Sequence, residues 1–201
     1  QLAAMGEFPE GVVERFSSMR FTGDVYAVAE GTPIFGGEPI IEVVAPLPEA
    51  QLVETYLINQ IHFQTAIASK GARVVDAAQG RPITDFGARR AHGTDAAIKA
   101  ARALYIAGVA ATSNVLASRT YEIPAAGTMA HSYVQAHESE LEAFRNFVGT
   151  YPETTLLVDT YDTSNGVRNV IRLAEELGDA FAVNAIRLDS GDLAQHAREA
   201  R

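Results

Sequence analysis

A chain of 201 residues, 47% apolar and 20% charged, has ordinary globular composition and enough length to bury a substantial core in one or two domains. Its formal net charge of −9, from 25 acidic against 16 basic residues, argues against nucleic acid or an anionic membrane as the main partner, while leaving room for a local basic pocket. The absence of cysteine excludes disulfides and thiolate metal sites, and no apolar run reaches transmembrane length.

Along the chain, residues 20–45 are expected to form short strands. Val25, Tyr26 and Val28 lead into Gly- and Pro-rich turns, and the apolar run Ile40, Ile41, Val43, Val44 follows. Pro48 suits the start of a helix from Glu49 to about Ala68, with Leu52, Tyr56, Asn59, Ile61, Phe63 and Ile67 on one broad face. After residue 80 strands and helices alternate. "ITDFGARR" reads as a strand running into a loop, and Thr94 as the N-cap of a helix with Gly108 just past its end. "VAATSNVLAS" reads as a second strand region. "HESELEAFRNFV" is helical, with Leu141, Phe144 and Val148 in register.

"TTLLVDTYDT" has the continuous apolar text of a strand buried on both faces of a parallel sheet. The next helix is capped by Thr163 or Ser164, turns Val167, Val170, Ile171, Ala174 and Leu177 inward and stops at Gly178. "FAVNAIRLDSGDL" is a further strand, and "DLAQHAREAR" reads as the opening turns of a helix. The expected fold is α/β, because parallel strands need crossover helices. Gln1 in place of an initiator Met, and Arg201 within a helical run, give the expectation of a piece of a longer protein.

Functional groups in a parallel barrel gather at the C-terminal ends of the strands. Here those ends supply Arg89, Arg90, Ser113, Asn114, Asp159, Asp162, Arg187, Asp189, Ser190 and Asp192. Arginines converging on one mouth suit phosphate or carboxylate, which a guanidinium binds bidentately. Aspartates beside them suit a hard cation such as Mg²⁺, which takes one or two carboxylates and completes its shell with substrate oxygens. The combination points to a Mg²⁺-assisted reaction of a phosphorylated sugar.

Each cluster also has a bland reading. Arg-Arg is usual in solvated loops, Asp-Ser-Gly is a common turn, "DTYDT" is compatible with a helix cap, and His131 in "GTMAHSYV" is compatible with a structural imidazole. No Walker A pattern is present, and no G-x-G-x-x-G follows a strand.

Six motifs resemble one family in order and spacing: "TYLINQIHFQT", "ITDFGARRAHG", "TSNVLA", "GTMAHSYVQAHESE", "LLVDTYDT" and "IRLDSGDL" are similar to those of nicotinate phosphoribosyltransferases, and "EGTPIFGGEPIIEV" resembles the segment before their barrel. The resemblance implies a small β-rich α/β sandwich module with a connecting helix over residues 1–78. Part of an irregular α/β barrel carrying the phosphoribosyltransferase site is implied over 79–201. It implies the joining of nicotinate to 5-phosphoribosyl-1-pyrophosphate, with ATP as co-substrate hydrolysed through a phosphohistidine at His131, in NAD biosynthesis.

By the same resemblance, Phe86 stacks on the pyridine ring and Arg89 contacts the phosphoribosyl or nicotinate anion. Arg187 lies near base and ribose, Thr128 belongs to the substrate site, and Asp159 and Asp189 surround Mg²⁺ and pyrophosphate. Ser113 aligns with an aspartate of nicotinamide-specific relatives. A neutral side chain there removes a repulsion against nicotinate; its bland reading is a small residue packed at a strand end. Cytoplasmic location and a homodimer, or a complementing chain, are implied as well. The family's N-terminal tyrosine segment would lie before Gln1 and its glycine-rich 5-phosphate loop after Arg201, so a non-catalytic half-enzyme is the competing expectation.

Overall fold

The computed structural model describes residues 2–201 and divides into two compact units, one ending at Ala126 and the other running Gly127–Arg201. In the first unit, α1 (Leu2–Met5) and α2 (Glu10–Ser18) precede an antiparallel pair, β1 (Asp24–Ala27) and β2 (Ile41–Val44), with Val25 opposite Val43. This hairpin is the strand module expected from the Gly/Pro-punctuated text.

Helix α3 (Leu47–Ala77) starts at its proline, with Pro48 in the first turn, and continues well past Ala68. Its covered face keeps Ile61, Phe63 and Ile67 of the expected one and departs from it nearer the N-terminus. Val53, Leu57, Ile61, Gln64, Ala68 and Gly71 are partly or fully buried, whereas Leu52 and Tyr56 are exposed. Two apolar stripes compete in the first half of α3, and the one continuous with Gly71 faces α4 (Thr94–Ile106). Gly71 is buried because a Cβ there would come within 2.8 Å of Leu104 Cδ2, so its lack of a side chain permits the close approach.

Strand β3 (Thr84–Asp85) pairs in parallel with β4 (Ala111–Thr112). Between them run a 3₁₀ turn, Ala88–Arg90, and α4. Thr94 is not the cap of α4: Gly93, at φ 104°, occupies that position and Thr94 is the first helical residue. A left-handed entry favours glycine over a β-branched residue. Past β4 the extended text stops early. Asn114 accepts from the Ala117 amide at 3.1 Å and caps α5 (Val115–Tyr121), so the second half of "VAATSNVLAS" is helical.

The second unit holds α6 (His131–Gln135), α7 (Glu140–Thr150), β5 (Thr155–Leu157), α8 (Thr163–Leu177), β6 (Ala185–Arg187) and α9 (Leu193–Glu199). Strands β5 and β6 are parallel, Leu156 opposite Ile186, with α8 as the crossover. The core is Met129, Val134, Ala143, Phe144, Val148, Leu156, Leu157, Val158 and Leu173. The expected burial of the "LLV" run is thus met.

In α8 the expected Val167 and Val170 pack against the core and Ala174 is half-buried, while Leu173 is the fully buried apolar residue and Ile171 and Leu177 are exposed. The α8 cap is Asp162 rather than Thr163 or Ser164: its carboxylate accepts from the Asn165 amide at 2.8 Å, and a negative charge suits a helix N-terminus. Gly166 lets α8 lie against β5, since a side chain there would overlap the Val158 carbonyl.

The fold class is α/β, as expected. The described strands form three separate two-stranded sheets. No helix among the described residues is long and apolar enough to cross a membrane.

Candidate active site

In the second unit three elements converge. The chain leaving β5 carries Asp159 and Thr160, the chain leaving β6 carries Asp189 and Ser190, and His131 opens α6. Buried Asp159 ties the two strand ends together: its Oδ2 accepts from the Asp189 amide at 2.8 Å and from the Ser190 hydroxyl at 2.6 Å. Its Oδ1 is equally buried and has no hydrogen-bond partner. That oxygen lies 4.0 Å from His131 Nε2, and Asp189 Oδ2 lies 3.6 Å from the same nitrogen. On the far edge of the ring, Nδ1 is 3.2 Å from Thr160 Oγ1. The imidazole side chain is 40% exposed while that of Asp159 is 1% exposed, so the ring is open to solvent and the carboxylate lies beneath it.

Arg187 Nη2 sits 2.9 Å from Asp189 Oδ1. The hydrogen bond from that guanidinium, opposed by burial and reinforced by the charges of Arg187 and then His131, holds the Asp189 carboxyl below its usual range. Thr128 uses its hydroxyl proton structurally, donating to the Thr155 carbonyl at 2.8 Å and tethering the turn before His131 to β5.

Glu140, at the start of α7, is a buried acid with Oε1 unpartnered and Oε2 accepting from Asn169 Nδ2 at 2.9 Å. Burial pushes its carboxyl upward and the negative charges of Asp162 and Asp159 add to this, while the Asn169 bond opposes it.

The first unit holds the other strand-end groups. Phe86 follows β3 and is 39% exposed, and Arg89 and Arg90 lie exposed on the 3₁₀ turn. Ser113, partly buried, donates its amide to the Asp85 carbonyl at 2.8 Å, so its turn is anchored beside the residue that precedes Phe86.

Three of the polar strand-end residues cap helices: Asn114, Asp162 and Asp192 each accept from an amide in the first turn of the helix that follows. Sequence reasoning passed over Asp85, Thr112, Thr160 and Glu140. An Asp-x-Gly turn at a strand end was the available sign for Asp85, and adjacency to "VD" for Thr160; a buried glutamate at a helix start leaves no comparable mark.

Among the described residues no three His, Cys, Asp or Glu side chains form a ready-made metal cage. The donor set instead fits a hard cation that keeps most positions for water or substrate: a buried, unpartnered oxygen of Asp159 and the ionised carboxylate of Asp189, both turned toward one point beside His131.

An exposed imidazole backed by two carboxylates, beside an Arg–Asp pair, lies at the C-terminal ends of parallel strands, where α/β proteins place their active sites. Residues 82–200 match the model of the nicotinate phosphoribosyltransferase (NAPRTase) family, and the chain belongs to that family. It is 58% identical over 200 residues to nicotinate phosphoribosyltransferase pncB2 of Mycobacterium tuberculosis, covering all of this chain and 43% of that protein. A nicotinate phosphoribosyltransferase of Bacillus subtilis is 48% identical over 177 residues, covering 88% of this chain and 36% of that one. The crystal structure of human nicotinic acid phosphoribosyltransferase superposes with a TM-score of 0.89 at 27% identity, over 98% of this chain and 50% of the human one. The chain thus spans half or less of the length of these relatives.

Proposed function

We propose that this chain carries part of a nicotinate phosphoribosyltransferase, which joins nicotinate to 5-phosphoribosyl-1-pyrophosphate and releases nicotinate mononucleotide and pyrophosphate in NAD biosynthesis. ATP hydrolysis is coupled to this through a phosphohistidine at His131. The observation that carries the reading is the unpartnered buried oxygen of Asp159 facing His131 Nε2. With the ring proton on Nε2, toward Asp159 and Asp189, the lone pair stays on Nδ1. The hydroxyl of Thr160 solvates that lone pair, and the ring is open to solvent on its exposed side.

Nδ1 gives up the Thr160 hydrogen bond and attacks the γ-phosphorus of ATP. The N–P bond forms as the bond to the ADP oxygen breaks, and the carboxylates stabilise the cationic ring. The phosphoryl group later passes to water, regenerating imidazole and phosphate. Asp159 and Asp189 would hold Mg²⁺, which would supply charge neutralisation for phosphate oxygens.

In the transfer itself, the pyridine nitrogen of nicotinate displaces pyrophosphate at the anomeric carbon. Arg187 answers the charge that develops on the leaving group. Phe86 offers a ring face to the pyridine, Arg89 a guanidinium to an anionic substrate group, Ser113 a neutral edge that favours the acid over the amide, and Thr128 its remaining lone pairs. In this reading residues 1–78 are the sandwich module and 79–201 a portion of the α/β barrel, and the whole protein works in the cytoplasm as a homodimer.

A second reading is a half-site that becomes catalytic only with a complementing chain.

The test is intact-mass analysis after incubation with Mg-ATP, followed by mapping. A single acid-labile phosphoryl group on His131, lost in His131→Asn, supports the mechanism; its absence from a protein that turns over nicotinate would remove His131 from it. Turnover of nicotinamide at or above that of nicotinate would sink the acid assignment. Turnover that returns only on adding the remaining half of a relative would establish the second reading.

A further inference from the structure

Asp85 is the residue whose hydrogen bonds reach furthest around the strand ends of the first unit. Its Oδ1 accepts from the Gly87 amide at 2.7 Å, turning the chain immediately after Phe86. Its Oδ2 accepts from the Thr112 hydroxyl at 2.9 Å, across to the neighbouring strand. Its backbone carbonyl accepts from the Ser113 amide at 2.8 Å. Thr112 is 1% exposed, and its oxygen in turn accepts from the Asn114 amide at 3.1 Å. Both carboxylate oxygens are therefore engaged in holding backbone and a buried hydroxyl. A Cβ on Gly87 would sit 3.0 Å from Asp85 Oδ1, so a side chain there would press on that oxygen.

We propose that Asp85 and Thr112 form a latch that sets the Phe86–Arg90 loop and the Ser113–Asn114 turn as one body, making Asp85 the positioning residue for the nicotinate side of the site. The proposal rests on the assignment of Phe86, Arg89 and Ser113 to the substrate pocket. The latch fixes two recognition elements against each other before substrate arrives: the aromatic face and cation on one strand end, and the neutral hydroxyl on the other. Positional errors between such elements cost rate and affinity steeply. Because the carboxylate bridges two strands, loss of the hydroxyl on one is felt by the backbone of the other.

Amide hydrogen exchange on the purified protein tests the latch without reference to activity. In Thr112→Val, which keeps shape but removes the hydroxyl, exchange at Gly87 is expected to rise about tenfold, though Thr112 makes no hydrogen bond to Gly87. Asp85→Ala is expected to do at least as much, since both acceptor oxygens are lost. Thr112→Ser should restore protection, and Leu156–Val158 in the second unit serves as the reference for global loosening. Gly87 exchange unchanged in Thr112→Val, or a rise matched at Leu156–Val158, overturns the latch. Steady-state kinetics test the positioning role: KM for nicotinate is expected to rise about tenfold in Thr112→Val, with KM for 5-phosphoribosyl-1-pyrophosphate within about twofold. Equal rises in both overturn that role. A wild-type protein that neither binds nor turns over nicotinate removes the pocket assignment, while the exchange result still decides the latch.

Discussion

The two units contain the same device used to different ends. In each, an aspartate at the end of one parallel strand accepts a side-chain hydroxyl from the end of its neighbour and a backbone amide. Asp85 receives the Gly87 amide and the Thr112 hydroxyl, one on each oxygen, while Asp159 receives the Asp189 amide and the Ser190 hydroxyl both on Oδ2. Asp85 is saturated and faces backbone. Asp159 keeps Oδ1 buried, unpartnered and turned to an exposed imidazole. A carboxylate with both oxygens engaged is scaffold. One with an oxygen left over at a desolvation cost points to a ligand or a reaction, because an unmatched buried acceptor is otherwise a net loss.

The sharpest way to break this comparison is Asp159→Asn. Its carbonyl oxygen still serves the Asp189 amide and Ser190 hydroxyl, so thermal stability is expected to move by about 2 °C or less. An NH₂ group would then face Nε2, which reverses the tautomer and removes the charge opposite the ring. Phosphoryl labelling of His131 is expected to slow on the order of 10²-fold. Labelling at the wild-type rate would mean that the leftover oxygen is idle.

Next in size is Gly166→Ala. The added methyl would collide with the Val158 carbonyl, on the residue before Asp159, in a place where neither helix nor strand yields cheaply. The expected cost is about 2 kcal/mol, a fall of roughly 4–8 °C in melting temperature. An unchanged melting temperature would show that β5 and α8 part easily, and that the strand end holding Asp159 is less rigid than the comparison requires.

The contrast between the two strand ends also marks what the sequence makes legible. "GTMAHS" and "IRLDSGD" announce polar groups at turns after apolar strands, and those groups do meet around His131. The hydrophobic run at Leu156–Val158 is unambiguous because both sides of the strand are buried. Periodicity fails where two stripes compete. The exposed Leu52 and Tyr56 on α3 and Ile171 on α8 are apolar residues outside the covered face, and only the identity of the packing partner decides which stripe is covered. The caps at Gly93 and Asp162 lie one or two residues before the expected ones, because several adjacent residues have suitable side chains and backbone angle selects among them. Asp85 and Thr112 are 27 positions apart, so their bond is a product of strand register that no local pattern contains.

Glu140→Gln probes a second unpartnered acid, without a histidine opposite. A carboxyl whose folded pKa is raised binds its proton more tightly in the native state. Stability is therefore full at acid pH and falls as pH rises from the ordinary glutamate range through the raised folded value. Glutamine keeps an acceptor for Asn169 and cannot ionise. Relative to wild type, its melting temperature is expected to rise by about 2 °C between pH 5 and 8. A difference that stays flat over that interval would mean that Glu140 does not titrate there.

The smallest effect belongs to Asp189→Asn, and here the sign reverses. Asp189 has a lowered folded pKa, chiefly from Arg187, so its contribution is present above the ordinary aspartate range and disappears as pH falls through the lowered folded value. The pair is partly exposed, with side chains 25% and 38% accessible, which limits the stabilisation to about 0.5 kcal/mol after solvent screening. Urea unfolding should therefore find the variant weaker by that amount from pH 5 to 8, with the gap closing below about pH 4. A gap that persists at low pH would assign the loss to packing. A closing gap leaves Asp189 as a carboxylate that is stabilised as an anion yet contributes little to the fold, which is the property expected of a group whose charge is directed at His131 and a substrate-bound cation.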